Sequence, residues 1–318
     1  MMQDDAVFPQ LEPMLIELLH DIHQKVLPES EDMAYADEIP ARGGVQKLAT
    51  ELLGYVTPEI LDLQGRPITR DALQKIMRRE DNDEDWNTPM GYLDFITDDR
   101  MWEWLRLYVG QCVNGLRRIV NSHIQIVLRG DYDSLHQFIV WLGNGHRTMN
   151  FIRLWKFPEY HHPENESEET TEREKSWRSM KMNFLEALFC KAFSTHHGIL
   201  NRLPEDSREQ AQYYKSDRRT FGLNLMAPLA QNGYVFSAKR GILLRPAEGS
   251  IDIQIRYWVR HERQRRSQIQ REKKYLKANR PVFRTDFNQA LKDALGSTEL
   301  FDRSNFAFTY SSRCTSRK

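Results

Sequence analysis

The sequence has few cysteines and no long uncharged segment, and both absences restrict the class of protein. Three cysteines in 318 residues, Cys112, Cys190 and Cys314, are too few and too scattered for a disulfide framework. The longest uncharged run, residues 220–238, contains Pro228 and is a poor membrane span. The acidic N-terminus lacks the basic and apolar parts of a secretory signal. We therefore expect an intracellular protein with no membrane partner, without choosing between cytoplasm and nucleus.

Common motifs of enzyme chemistry are also missing. The chain has no Walker A loop, GxGxxG turn, GxSxG elbow, CxxC pair, HExxH pair or EF-hand loop. The acidic run 81–85 is typical of a solvated loop. The pairs His161-His162 and His196-His197 would have to converge from separate segments to bind one metal. The sequence thus predicts no catalytic residue, no metal and no cofactor, and it favours a non-enzyme.

Charges of the two signs are equal in number but unevenly distributed along the chain. Residues 1–100 hold 9 lysines and arginines against 22 aspartates and glutamates, whereas residues 201–318 hold 24 against 12. Such asymmetry indicates an acidic or a basic interaction surface. The simplest alternative is a dipolar surface that keeps the protein soluble.

The spacing of apolar residues predicts a mainly α protein with a helical N-terminal and central block. Residues 11–26 carry a helical stripe of leucine and isoleucine, and Thr57-Pro58 and Thr69 are expected at helix starts. Residues 98–120 form a wider apolar stripe, which predicts a buried helix. The core residues predicted on that helix are Trp102, Leu105, Val109, Leu116 and Ile119.

The glutamate-rich residues 158–174 are predicted to be an acidic linker or loop. They would divide the chain into a helical domain, residues 1–157, with an acidic N-terminal region, and a smaller basic α+β domain, residues 175–318. One chain would then carry an acidic and a basic part.

The second domain shows a change from helical spacing to alternation. Residues 177–193 and 221–229 carry helical stripes, residues 234–245 have a hairpin signal, and residues 251–259 alternate as a half-buried strand does. This order matches the layout of a winged helix, in which one helix enters the major groove. A polar basic helix is expected over about 260–279.

The basic segment 256–284 is the strongest functional signal in the sequence. Eleven cations face only two anions there, an arrangement that phosphates would stabilise through counterion release. Trp258 and Tyr275 lie within it and could stack on unpaired bases. With cations from the predicted recognition helix and hairpin tip, the residues predicted to contact nucleic acid are Arg218, Arg219, Lys239, Arg240, Arg256, Arg260, Arg263, Arg265, Arg266, Arg271, Lys273, Lys274, Lys277 and Arg280.

Three functional hypotheses remain open from the sequence. The first is a nucleic-acid-binding protein, for DNA or RNA, acting in regulation, replication or packaging. The second is a helical scaffold or adaptor, or a homo-oligomer, that binds proteins through its acidic and basic ends. The third is a metal-independent RNase, because Arg118 with His123 and Arg129 with His136 have the Arg-x4–6-His spacing of one class of helical RNases. About three such pairs are expected by chance in this composition, so the spacing alone indicates little.

Overall fold

The fold combines a sheet with helices on both of its faces. The computed structural model describes residues 7–24, 35–80, 86–130, 132, 134–158, 168–195, 220–224, 228–230 and 253–278. Within these ranges the central block that the sequence predicted as helical contains three antiparallel strands. The prediction of a mainly α protein is therefore wrong, and the described fold is mixed.

The elements follow one another from an all-helical start into the sheet. Before the sheet, the described helices are α1 (Leu11–His23), α2 (Tyr35–Ala41), α3 (Gly44–Leu53), α4 (Pro58–Leu61) and α5 (Arg70–Glu80). The next elements are β1 (Met90–Asp98), β2 (Met101–Cys112), α6 (Gly115–Arg117), a π-helix (Arg118–Ile124), α7 (Gln125–Leu128), α8 (Leu135–Trp141) and β3 (Arg147–Lys156). The remaining elements are α9 (Glu168–Ala192), β4 (Thr220–Gly222), a 3-10 turn (Pro228–Ala230) and α10 (Ile253–Ala278).

The sheet has the strand order β3-β1-β2-β4. Strand β1 pairs antiparallel with β2 and β3, so Asp94 lies opposite Tyr108 on one side and Phe151 on the other. Strand β4 pairs in parallel with β2 at the edge. The central position of β1 explains why all nine of its residues are buried.

Each face of the sheet has its own apolar core. On one face, Leu93 and Phe95 of β1 and Leu107 of β2 join a core that includes residues of α1, α3 and α9. On the other face, Ile96 and Trp104 join a smaller core with residues of α8 and the first turns of α10. Successive residues of a strand point to opposite faces, so β1 and β2 contribute to both cores.

The helix predicted over residues 98–120 is wrong, because residues 101–112 form β2 and helix begins only at Gly115. The central part of β2 is covered on both faces and reads as a nearly continuous apolar run. Such a run has no polar alternation and cannot be distinguished from a buried helix by spacing. The sequence pattern here was consistent with both structures.

The five core residues predicted on that helix have different environments. Leu105, Val109 and Ile119 are buried, as predicted. Trp102 is 59% exposed and Leu116 is 49% exposed, so the prediction is wrong for these two. Trp102 lies next to the tight β1–β2 connection, and Leu116 lies on the outer side of α6.

The strand predicted over residues 251–259 is also wrong, since α10 begins at Ile253. The residues it buries are Ile255, Trp258 and Val259, at helical spacing, whereas Tyr257 is 50% exposed. A winged helix needs this strand, so the winged-helix interpretation is withdrawn with it. The hairpin predicted at 234–245 lies outside the described residues.

Several helix predictions are confirmed. Helix α1 buries the predicted stripe of leucines and Ile22. Pro58 occupies the first position of α4 after Thr57. The Thr69 hydroxyl accepts a hydrogen bond from the Ala72 backbone at 3.2 Å. The basic helix predicted over about 260–279 is present as the larger part of α10.

By its internal contacts the chain divides into two units, residues 1–261 and 262–318. Helix α9 starts at Glu168, inside the segment 158–174 expected as a linker. The predicted division at that segment stays a prediction. None of the helices in the described ranges is long and apolar enough to cross a membrane.

Candidate functional site

A buried chain of polar side chains connects the sheet to the π-helix and α8. The Tyr92 hydroxyl lies 2.7 Å from His123 Nε2, and His123 Nδ1 lies 3.0 Å from His136 Nε2. The Ser134 hydroxyl completes the chain, 3.0 Å from His136 Nδ1. Each neutral imidazole can donate a hydrogen bond from one nitrogen and accept one at the other. All three hydrogen bonds can therefore form with the donors running either from Tyr92 to Ser134 or from Ser134 to Tyr92. We call Tyr92, His123, His136 and Ser134 the Tyr–His network.

The π-helix aligns Arg118 with His123. In an α-helix, residues five apart are separated by about 140° around the axis. The i→i+5 hydrogen bonds of a π-helix bring such residues to nearly the same side. Asn114 fixes the start of this segment, since its side chain accepts a hydrogen bond from the Arg117 backbone at 2.8 Å. Short π-helical segments are frequent at functional sites.

Tyr108 and Arg118 link the network to the surface. The Tyr108 ring stacks on His136 with centroids 4.0 Å apart and planes at 15°. Tyr108 is partly exposed and Arg118 is exposed, whereas Tyr92 is fully buried. The charge of Arg118 acts on the pKa of both tyrosines, so its guanidinium lies near their hydroxyl groups. Arg118 is therefore an exposed residue whose charge acts within the network.

Burial determines the protonation states in the network. Desolvation, together with the charge of Arg118, lowers the pKa of His123 to about 3. Desolvation and the charge of His123 hold the pKa of His136 well below its ordinary value. Desolvation raises the pKa of Tyr108 and that of Tyr92 well above the ordinary value of a tyrosine. At neutral pH the histidines are uncharged and the tyrosines keep their protons.

The backbone of β2 is held tightly beside these side chains. The Asn224 side chain accepts a hydrogen bond from Val109 N at 2.9 Å and donates one to Val109 O at 2.7 Å. A Cβ atom at Gly110 would lie 2.6 Å from the Tyr92 hydroxyl oxygen, so only glycine leaves room for that group. Both residues therefore position Tyr92 and Tyr108 rather than react themselves.

Asp94 is a further buried ionisable group on this face of β1. It lies opposite Tyr108 in the sheet and is fully buried. No side chain of the described residues binds its carboxyl oxygens. Desolvation raises the pKa of Asp94 well above its ordinary value, and a backbone hydrogen bond from Asn150 offsets this only in part. The carboxyl group is thus held in its neutral form.

The structure places the predicted nucleic-acid contacts in several environments. Arg256 and Arg260 are exposed in the first unit, and Arg263, Arg271 and Lys274 are exposed in the second. Arg265 and Arg266 bind Glu262 at 2.8 and 2.7 Å. Lys273 and Lys277 also lie in α10. The predicted contacts outside the described residues are Arg218, Arg219, Lys239, Arg240 and Arg280.

Of the two aromatic residues expected to stack on bases, only one is exposed. Trp258 is buried in the smaller core, so the expectation for it is wrong. Tyr275 is 68% exposed. The aromatic rings exposed near Arg256 and Arg260 are instead those of Trp141 and Tyr257, which the sequence pattern did not indicate.

Of the two Arg/His pairs singled out in the sequence, the fold brings together only Arg118 and His123, and it places His136 near Arg118 instead of Arg129. Arg118 and His123 are brought together as their spacing required, and the arginine whose charge acts on His136 is also Arg118. Arg129 is exposed after α7. No group of three or more histidine, cysteine or acidic side chains in the described ranges could hold a metal ion. The pairs His161-His162 and His196-His197 lie outside those ranges.

Comparison with known proteins adds no relative. No family model, no curated protein and no solved structure matches this chain significantly. The class of protein must therefore be inferred from the site, a buried network of neutral titratable groups with an exposed arginine close to it.

Proposed function

We propose that this chain is an intracellular nucleic-acid-binding enzyme that cleaves phosphodiester bonds at the Tyr–His network. The observation that carries the proposal is the position of Arg118. Arg118 is an exposed residue, and its charge acts on the Tyr92 and Tyr108 hydroxyls and on the neutral His123. A phosphate bound there would meet a cation that stabilises charge on the phosphoryl oxygens as the transition state forms.

His123 provides the proton acceptor that such a reaction needs. Its Nε2 atom faces the Tyr92 hydroxyl, so it can accept a proton from Tyr92 or, through Tyr92, from an attacking hydroxyl group or water. Hydrogen bonding to His136 lets a second imidazole share the change in protonation. A bound phosphate would also neutralise Arg118, whose charge helps to lower the pKa of His123. Substrate binding therefore increases the basicity of His123.

The exposed cations of α10 support nucleic acid as the substrate. Arg256, Arg260 and Arg271 are exposed, and phosphate contacts of this kind provide affinity that does not depend on sequence. These cations by themselves would also fit a protein that binds nucleic acid without cleaving it, the first hypothesis from the sequence. The network adds a reason to propose chemistry, because buried groups with strongly shifted pKa values concentrate at functional sites.

The test is cleavage of fluorescent RNA and DNA oligonucleotides, single-stranded and duplex, with magnesium and with a chelator. Tyr92→Phe keeps the ring and removes the hydroxyl, and Arg118→Gln removes the cation. We expect each change to lower the rate by about a hundredfold or more. Arg117→Gln removes the neighbouring exposed arginine and is the matched control, which should retain activity.

Two results would contradict the proposal. One is a wild-type chain that binds these oligonucleotides and cleaves none of them, which would return the protein to the class of binding modules. The other is equal activity in the Arg118→Gln and Arg117→Gln variants. A chain that binds only proteins, with no affinity for either nucleic acid, would instead support the scaffold hypothesis.

A further inference from the structure

An aromatic cluster at the surface joins α8 to the first turns of α10. Phe138 is fully buried at its centre, with its ring 5.7 Å from Trp141 and 5.8 Å from Tyr257 between centroids. Trp141 is 41% exposed and Tyr257 is 50% exposed. The rings of Trp141 and Tyr257 thus pack against the buried Phe138 ring, while part of each ring is exposed to solvent.

The cluster is braced by a hydrogen bond as well as by packing. The Tyr132 ring lies 5.3 Å from Trp141, and its hydroxyl lies 2.8 Å from His261 Nδ1. Rings that are fixed before a ligand arrives lose little conformational entropy when they bind it. The exposed parts of Trp141 and Tyr257 are therefore suited to stacking a planar group.

Two exposed cations belong to the same turns of α10 as Tyr257. Arg260 follows Tyr257 by three residues and Arg256 by four, so the Arg260 side chain is a neighbour of both on the helix surface. Both arginines are exposed, and neither forms an ion pair with any described residue. An apolar protein segment would gain nothing from these charges, whereas a nucleotide offers both a planar base and a phosphate.

We propose that Trp141, Tyr257, Arg256 and Arg260 form a binding site for an unpaired nucleotide, with the base stacked on the rings and the phosphates on the arginines. The inference rests on the proposed function for its biological role, because α8 carries both His136 of the network and Trp141 of this site. Their positions differ by about 8 Å along the helix axis. They also differ by about 140° around the axis, so a strand held here needs further nucleotides to pass around α8 to the network, which an unpaired strand can do more readily than a duplex.

The test compares binding of an oligothymidylate with that of an abasic oligonucleotide of equal length, by fluorescence anisotropy, with probe integrity checked afterwards. The wild-type chain should bind the oligothymidylate more tightly. Trp141→Ala/Tyr257→Ala should weaken that binding by about tenfold or more and leave abasic binding unchanged. The matched control Trp141→Phe/Tyr257→Phe keeps two rings and should retain most of the difference. Arg256→Gln/Arg260→Gln should weaken binding of both probes and flatten the salt dependence.

Base-independent binding by the wild-type chain, or no binding, would overturn the site. So would an equal loss for a duplex probe in the alanine variant, because paired bases are already stacked. If the alanine variant does not fold, crosslinking of an iodouracil probe to the wild-type chain decides: a crosslink at Trp141 or Tyr257 supports the site, and a crosslink only elsewhere rejects it. Base-dependent binding without cleavage would leave this site in place and remove the proposed reaction.

Discussion

At the scale of single residues, this protein keeps several ionisable side chains uncharged in its interior. His123, His136 and Asp94 are all buried, and desolvation is the largest cause of each pKa shift. Keeping such groups neutral costs free energy wherever the unfolded chain would ionise them, which is below pH ~6.5 for the histidines and above pH ~4 for Asp94. A purely structural core would be more stable with apolar residues at these positions, which is why we assign a function to the two histidines.

Asp94 gives a prediction about stability that does not depend on activity. In the unfolded chain it ionises near its ordinary pKa of about 4, whereas its raised pKa keeps it protonated in the fold. The folded state therefore binds more protons than the unfolded state above that pH, and its contribution to stability falls as pH rises. Asp94→Asn should remove this loss, so its stability relative to the wild type should increase by up to about 1.4 kcal/mol per pH unit above pH ~4, until the folded pKa is reached.

The measurement is the urea midpoint of both proteins across that pH range. Asp62→Asn, at an exposed position, is the control and should show no such trend. A difference between Asp94→Asn and the wild type that stays constant with pH would show that Asp94 is ionised in the fold.

At the scale of elements, the helical segment after β2 shows that the spacing of apolar residues predicts burial correctly at one position and wrongly at another. Leu116 and Ile119 fall on one stripe of the helix predicted over 98–120. In the fold, Leu116 belongs to the short α6 and is half exposed, while Ile119 lies in the π-helix and is 8% exposed. The two residues are three positions apart and differ mainly in burial, so they form a matched pair.

We expect Leu116→Asp to change the free energy of unfolding by less than about 0.5 kcal/mol, because its side chain is largely solvated. Ile119→Asp should cost on the order of 3 kcal/mol, because it places an unpaired charge at a buried position of the π-helix. Chemical denaturation of both variants checks this. Equal and large losses would favour a continuous buried helix over the β2–α6 arrangement.

At the scale of the whole molecule, the uneven charge distribution is partly balanced within the first unit. Acidic residues of the N-terminal helices pair with cations of α9, as in Glu51 with Lys181 at 2.9 Å and Glu17 with Lys191 at 2.9 Å. Ion pairs that remain partly exposed to solvent, as these do, contribute little stability. They do show that part of the acidic charge is used within this unit. Arg256, Arg260, Arg271 and Lys274 of α10 are exposed and form no ion pair with another described residue, and the proposed function gives them phosphates as partners.

The salt dependence of nucleic-acid binding tests which cations matter. Replacing Arg256, Arg260, Arg271 and Lys274 with glutamine should flatten the slope of log K against log salt by about 3 units for single strands. Arg265→Gln/Arg266→Gln should change it less, because Glu262 already neutralises part of that charge. An equal effect per residue in the two variants would mean that the Glu262 pairs open when nucleic acid binds.

The sequence by itself determined the elements whose signals are local. Helix α1, the start of α4 at Pro58 and the Thr69 cap depend on spacing and capping within a few residues, and all were predictable. The basic helix was predictable as well, because a polar segment with so many cations cannot be buried. The Arg118–His123 spacing was visible too, but chance alone gives such pairs, so the sequence could not select it.

Only the tertiary structure decided the sheet and the site. Strands β1 and β2 are buried on both faces, which removes the alternation by which a strand is recognised, and burial depends on partners distant in sequence. The site combines Tyr92 and Tyr108 from neighbouring strands with His136 from α8, and no local pattern marks a tyrosine that will lie 2.7 Å from a histidine 31 residues later. Desolvation by these packed layers then fixes the protonation states, so the chemistry of the site is a property of the fold.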